Sequence, residues 1–424
     1  MRPPNHGHRW LVFALFLVAA TEGWTADWPG WRGLRRDGYV PAGVAVPTNL
    51  PAEPKILWRS KAGNGVASPV VAGHTAYYSD NQDGQEMLHA VDTGTFQERW
   101  RVPVDVVSSD TQSPSGPRCT PLADGDHVYA QSCRGELRCL SATNGATLWH
   151  VSFTKDFGAI FMGETGNAAG GQRHGYTASP VIDGDRLFAG VSGTNGAGMV
   201  CFDKRTGKML WKSQSDQAAY AAPIITTIAG EKQLVAFTVE GLIGLAPEDG
   251  RLLWRVPLQT RYGRHAATPV VVGDMVVVSS HELGLLGIKV SQSGRDWTAT
   301  AAWTNKECAV NYSSLVAVGG HLFGVGPQKN LICVEAATGK QIWSQSGCIT
   351  TSAEKAHAGL IVMGPNILML TDSGQLFLFA ATATSFREIS RTQVGGFNWC
   401  NPAYADGKLF LRDNKDFLCA ELLP

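Results

Sequence analysis

Apolar residues along the chain fall in short runs separated by turn-forming residues, and one unit shows the pattern plainly. Pro180 to Ile182 is apolar, Asp183-Gly184-Asp185 is a hairpin turn, and Arg186 to Val191 is apolar again. A loop, the run Met199 to Phe202, a Thr206-Gly207 turn and a last run ending at Trp211 complete the unit. This predicts four short strands joined mostly by tight hairpins. Alternation of polar and apolar positions is weak in the first strand and clearer in the fourth, as expected when the first is buried on both faces.

The unit recurs. Gly94 with Trp100, Gly145 with Trp149, Gly207 with Trp211, Gly250 with Trp254 and Gly339 with Trp343 mark five copies; Trp303 closes a less regular one and Trp58 stands alone before the first. Seven of the 13 tryptophans thus recur at spacings of 40 to 62 residues, too regular for chance in so rare a residue. A second landmark, a small or polar residue before proline, precedes the first strand at Pro69, Pro121, Pro180, Pro223, Pro269 and Pro402, with Leu315 and Gly359 in the equivalent places of two degenerate copies. Eight repeats of four strands predict an all-β fold, an eight-bladed β-propeller of four-stranded antiparallel blades. The last copy, Pro402 to Leu422, has only three strands. The isolated strand around Trp58 therefore closes the eighth blade, and the propeller spans 56–424.

The triads Ala90-Val91-Asp92 with Trp100, Cys201-Phe202-Asp203 with Gly207 and Trp211, and Cys333-Val334-Glu335 with Gly339 and Trp343 resemble the docking motif of the pyrroloquinoline quinone (PQQ) repeat family. The resemblance covers residues 58 to 422, and implies that Trp58, Trp100, Trp149, Trp211, Trp254, Trp303 and Trp343 dock blade to blade. In fold the chain is similar to the β-propeller subunit of the outer-membrane protein assembly machinery. Residues 24–55 form an N-terminal extension. Its stretch Trp28-x-x-Trp31-Arg32-Gly33-x-x-Arg36-Asp37-Gly38 is similar to the start of exported PQQ-like propellers, and paired aromatics of this kind anchor an extension along the outside of a core.

Before it, Arg2, His8 and Arg9 precede an apolar run from Trp10 to Ala20, too short to span a bilayer. Residues 1–23 are read as a cleaved signal peptide, which gives a periplasmic or secreted protein without a lipid-attachment cysteine near the cut and without a transmembrane segment. Export permits disulfides among the nine cysteines, but Cys139, Cys201, Cys333 and Cys419 share one repeat position and read as small buried fillers. Cys308 and Cys348, each five residues after a repeat tryptophan, are the pair placed to form a disulfide between neighbouring blades. Lys plus Arg and Asp plus Glu both total 36, so no basic surplus favours nucleic acid.

Candidate chemistry lies in the loops that lead into the first strands, because these ring one mouth of the central channel. They supply Arg173, His174, Tyr176, Tyr220, Tyr262, Arg264, His265, Asn311, Tyr312, His357, Asn398 and Trp399. The set suits an anionic or planar ligand or a peptide; the alternative is that it merely fills the channel. Quinoprotein dehydrogenases of the PQQ family use adjacent cysteines under the quinone and acidic and amide ligands to calcium. The chain has no Cys-Cys dipeptide, and Asn311, Asn398 and Asn401 lack an acidic companion. No catalytic residue and no metal site are assigned, and no cofactor is expected unless PQQ with calcium binds. The favoured function is an exported, non-catalytic scaffold for a protein or peptide partner. A PQQ-dependent oxidoreductase acting on alcohols or sugars, and a carbohydrate- or small-ligand-binding propeller, are the alternatives.

Overall fold

The computed structural model describes residues 27–108, 111, 113–349 and 356–423; the signal peptide lies outside them. Eight four-stranded antiparallel sheets follow one another around an axis. Blade 3 is typical, with strands Val181–Asp183, Arg186–Gly193, Ala197–Asp203 and Met209–Ser213 from the axis outward. Blade 8 takes Ala403–Ala405, Lys408–Arg412 and Asp416–Glu421 from the end of the chain, and its outer strand is Lys55–Lys61. That closing strand runs in register from Lys55 opposite Glu421 to Lys61 opposite Asp416. Asp416 accepts from Arg59 and Lys61, both at 2.9 Å, and the Lys61 ammonium, ahead of Arg59, holds its carboxyl below the usual range.

The Gly–Trp repeat has a mechanical origin, and it lies between blades. The indole N–H of Trp149 in blade 2 donates to Lys204 of blade 3 at 3.0 Å, and Trp211 of blade 3 does the same to Pro247 of blade 4. Trp100, Trp303 and Trp343 repeat the contact onto Ala142, Ala336 and Thr382 of their next blades. The rings of Trp100, Trp149, Trp211 and Trp303 land on the turn glycine of the next blade: a Cβ at Gly339 would lie 2.3 Å from Trp303. This glycine also holds φ +72, so both sterics and backbone require it. Trp254 is the exception. Blade 5 ends in a long hairpin, Gly284–Ser293 and Asp296–Asn305, and the Trp254 N–H turns to Gln233 of its own blade at 2.6 Å.

The cysteine position follows from the same tryptophans. Cys139, Cys201, Cys333 and Cys419 sit directly across the strand pair from Trp149, Trp211, Trp343 and Trp58, and all four are fully buried. Ala90, Gly244 and Gly287 take that place opposite Trp100, Trp254 and Trp303, so the position demands a small residue beneath an indole. All nine cysteines are free. The disulfide expected between Cys308 and Cys348 is not formed: Cys308 packs in the core of blades 5 and 6 and donates to Gln341 at 3.3 Å, whereas Cys348 packs in the core of blades 6 and 7.

The N-terminal segment corrects another expectation. It does not run along the outside but crosses one end of the central channel, pairing Trp28 with Val71 of blade 1 and Tyr39 with Val362 of blade 7. Trp28, Arg32 and Arg36 are buried. Arg36 donates to the carbonyls of Ser179, at 3.0 Å, Pro180 and Pro223, at 2.9 Å, so one guanidinium ties blade 3 to blade 4. Arg32 reaches the Leu315 carbonyl, beside blade 6. Burial pulls Arg36 down to about 9 and Arg32 to about 10, so both stay protonated at neutral pH.

Candidate functional site

The other end of the channel is built by the residues before each inner strand. Most are the hydroxyl-before-proline landmark of the sequence, and the hydroxyls link blade to blade. The Asn401 N–H donates to Ser68 Oγ, the Ser68 N–H to Thr120 Oγ1 and the Thr120 N–H to Ser179 Oγ, at 2.9, 3.2 and 3.0 Å. On the far side the Thr268 N–H donates to Ser314 Oγ at 3.1 Å. This belt uses the backbone donors that an inner strand cannot spend on a neighbouring strand.

Above the belt lies a cavity of about 210 Å³. Five of the sequence-derived residues line it: His174, Tyr220, Tyr312, His357 and Trp399. Two residues that sequence reasoning missed join them. Trp31 reaches up from the N-terminal segment and donates to Thr268 Oγ1 at 2.8 Å, and Arg118 donates to the His174 carbonyl at 3.0 Å and to Ser113 Oγ at 2.5 Å. Arg118 ends the loop that follows strand Glu98–Val106.

Arg173, Tyr262 and Arg264 lie beside the cavity rather than in it, with both guanidiniums over the Tyr262 ring. Of the remaining four, Tyr176, His265 and Asn398 pack into the structure. Tyr176 is fully buried, edge-on to Phe153, and its hydroxyl donates to the Ile160 carbonyl at 2.9 Å. His265 is fully buried and stacked on Phe237 at 4.0 Å, and burial drops it to about 4. Asn398 spends its amide on the Thr371 and Gly396 carbonyls. Asn311 is half-buried away from the cavity lining.

The cavity wall includes buried polar atoms without a hydrogen-bond partner. His357 is 4% exposed and burial pulls it to about 4, against the backbone groups of Tyr312 and Cys400 that approach it, so that its ring is neutral; no well-aligned partner meets its Nε2. The Trp399 indole N–H is likewise buried and unpartnered. A neutral imidazole, an indole donor, two tyrosines and a guanidinium around an apolar space suit an apolar or aromatic group carrying polar edges. They do not suit a calcium-held quinone. None of the 13 lining residues is acidic, Trp31 takes part of the channel, and no cluster of three metal-ligating side chains exists among the described residues.

Comparison with known proteins adds the following. The family model described as outer membrane protein assembly factor BamB matches residues 84–345. The outer membrane protein assembly factor BamB of Burkholderia pseudomallei is 25% identical over 238 residues, 53% of this chain and 55% of that protein. That of Shewanella oneidensis is 22% identical over 405 residues, 88% of this chain and 89% of that protein. The chain thus spans about half the length of the first and nearly nine tenths of the second. The crystal structure of BamB from Moraxella catarrhalis superposes with a TM-score of 0.59 at 14% identity, covering 87% of this chain and 98% of that one, a likeness of fold.

Proposed function

This chain belongs to the family of the outer membrane protein assembly factor BamB, and from that membership we propose that it is an exported, non-catalytic propeller that binds a protein partner as an assembly scaffold. It acts in the periplasm or after secretion and uses no redox cofactor. One observation supports the channel mouth as the binding face: an aromatic cavity with buried, unmet hydrogen-bonding atoms at His357 and Trp399 opens on the side away from the arginine-sealed end. A partner side chain entering the cavity supplies the missing acceptor and donor without rearranging the ring.

The test is site-specific photocrosslinking from Tyr312, which lines the cavity and is 37% exposed, in full-length protein expressed in its native cell. Crosslinks to an outer-membrane assembly component, absent when the probe sits on the outer strand at Leu210, support the reading. Saturable tryptophan quenching by PQQ and calcium, with dye reduction over a panel of alcohols and sugars, overturns it.

A further inference from the structure

Beside the cavity, three arginines converge on one ring. The guanidinium carbons of Arg173, Arg261 and Arg264 stand 4.9, 4.9 and 5.2 Å from the Tyr262 centroid. Any two are therefore within about 10 Å, a single Debye length in roughly 0.1 M salt, where like charges still repel. None of the three is ion-paired with a carboxylate among the described residues, and the Nε atoms of Arg173 and Arg264 are buried without a partner. Arg255 in blade 4 shows the ordinary solution, with both carboxylate oxygens of Asp216 at 2.7 and 2.8 Å.

Acids beside the cluster already have partners. Glu282 accepts the Arg261 backbone N–H at 3.0 Å and faces His281 at 3.2 Å, and Glu164 accepts from Thr111 and faces His174 at 3.8 Å. The cluster is continuous with the cavity. The Tyr262 carbonyl accepts from Gly170, whose own carbonyl accepts from the cavity residue Tyr220. Met162, 46% exposed, is held against Gln172 next to Arg173, so an apolar rim adjoins the charge.

Building on the scaffold reading, we propose that Arg173, Arg261 and Arg264 bind the carboxylates of an acidic peptide segment whose neighbouring apolar side chain enters the mouth cavity. Guanidinium forks match carboxylates in two-point geometry, and the Tyr262 ring holds the three side chains together before any partner arrives. A peptide is favoured over a polyanionic backbone or an anionic bilayer because the chain carries no net charge, and the cluster is confined to one corner beside an apolar pocket.

The probes are three fluorescein-labelled peptides, each a tryptophan followed by acidic, amide or lysine residues, read by anisotropy on full-length mature protein. The acidic peptide binds at least about tenfold tighter than the amide peptide, and its affinity falls with salt. Arg173→Gln, Arg261→Gln and Arg264→Gln together remove that advantage and the salt dependence, while amide-peptide affinity and melting temperature stay as in the wild type. Equal binding of the acidic peptide by the triple variant overturns the inference. So does displacement of the acidic peptide by inorganic phosphate at matched ionic strength, or binding to phosphatidylglycerol vesicles in place of the peptide. Acidic and amide peptides that bind wild-type protein equally, with both lost in Trp399→Ala, sink the anion site and leave the scaffold reading standing. No peptide binding together with no Tyr312 crosslink sinks both.

Discussion

The two ends of the central channel are made of similar residues and treated in opposite ways. At the sealed end, Arg36 and Arg32 are buried cations: Arg36 meets three carbonyls from blades 3 and 4, and Arg32 meets those of Leu315 and Asp37, although its Nη1 is buried without a partner. At the open end, His357 and Trp399 carry buried polar atoms with nothing to meet. A buried group that is satisfied stabilises its neighbourhood, whereas one left unmet costs about 1–3 kcal/mol until a ligand arrives. The sealed end thus ties blades together through buried cations, and the open end is the one we propose to bind a partner.

The largest test removes what secures the sealed end. Residues 28–40 cross the channel and residues 55–61 close blade 8, so one continuous segment both plugs and locks the ring. Deleting 55–61 exposes the open edge of Asp416–Glu421 and abolishes cooperative unfolding, seen as loss of the calorimetric transition. A sharp transition in that deletion would falsify closure as the locking step. Arg36→Leu is the next largest. It leaves the carbonyls of Ser179, Pro180 and Pro223 buried without a donor, and urea unfolding should show a loss of about 4 kcal/mol.

What was legible in the sequence divides along the same line as the rim and the axis. The blade count, the closing strand and the tryptophan girdle could be read because Trp100, Trp149, Trp211 and Trp303 each meet the turn glycine one blade further on, so geometry repeats in sequence. The cysteine position was legible for the same reason, since Cys201 lies under Trp211 as Cys333 lies under Trp343. The axis has no such period. Trp28 to Tyr39 pair with Val71 and Val362, far apart in sequence and identical in local pattern to any inner strand, so nothing in the segment announces a plug. His265 and Tyr176 looked like mouth residues because their loops lead to the mouth, but those loops fold inward and spend them on core packing.

Titration sharpens the contrast between the ends. The arginines of the sealed end stay charged at neutral and acid pH, whereas His357 is held near 4 against about 6.5 for an unfolded histidine. Its folded-state value is depressed, so the unfolded chain takes up the proton first. Stability is full above pH about 6.5 and falls as pH drops towards 4, by up to about 3 kcal/mol from this residue. His357→Asn therefore flattens part of the acid limb, and His265, also held near 4, supplies a second share. Glu86, a buried carboxyl between blades 1 and 2 that accepts from the Cys133 N–H, has the opposite sign. Burial raises it to about 7, so its ionisation erodes stability as pH rises from about 4.5 to 7, and Glu86→Gln should remove that loss. An unchanged melting profile from pH 4 to 7.5 in both variants would show that these groups are hydrated rather than buried.

The smallest effect separates the two tryptophans that share the cavity. Trp31 comes from the sealed end and its indole N–H is satisfied by Thr268, whereas the Trp399 N–H is buried and unmet. Replacing each by phenylalanine removes the N–H and keeps an aromatic ring. Trp31→Phe strands the Thr268 hydroxyl and should cost about 1 kcal/mol. Trp399→Phe takes away an unsatisfied donor, so stability should hold or rise by a few tenths of a kcal/mol while crosslinking from Tyr312 weakens. Equal losses of stability in the two variants would mean that the Trp399 N–H already has a partner in the free protein, such as ordered water, and that the open end is as self-sufficient as the sealed one.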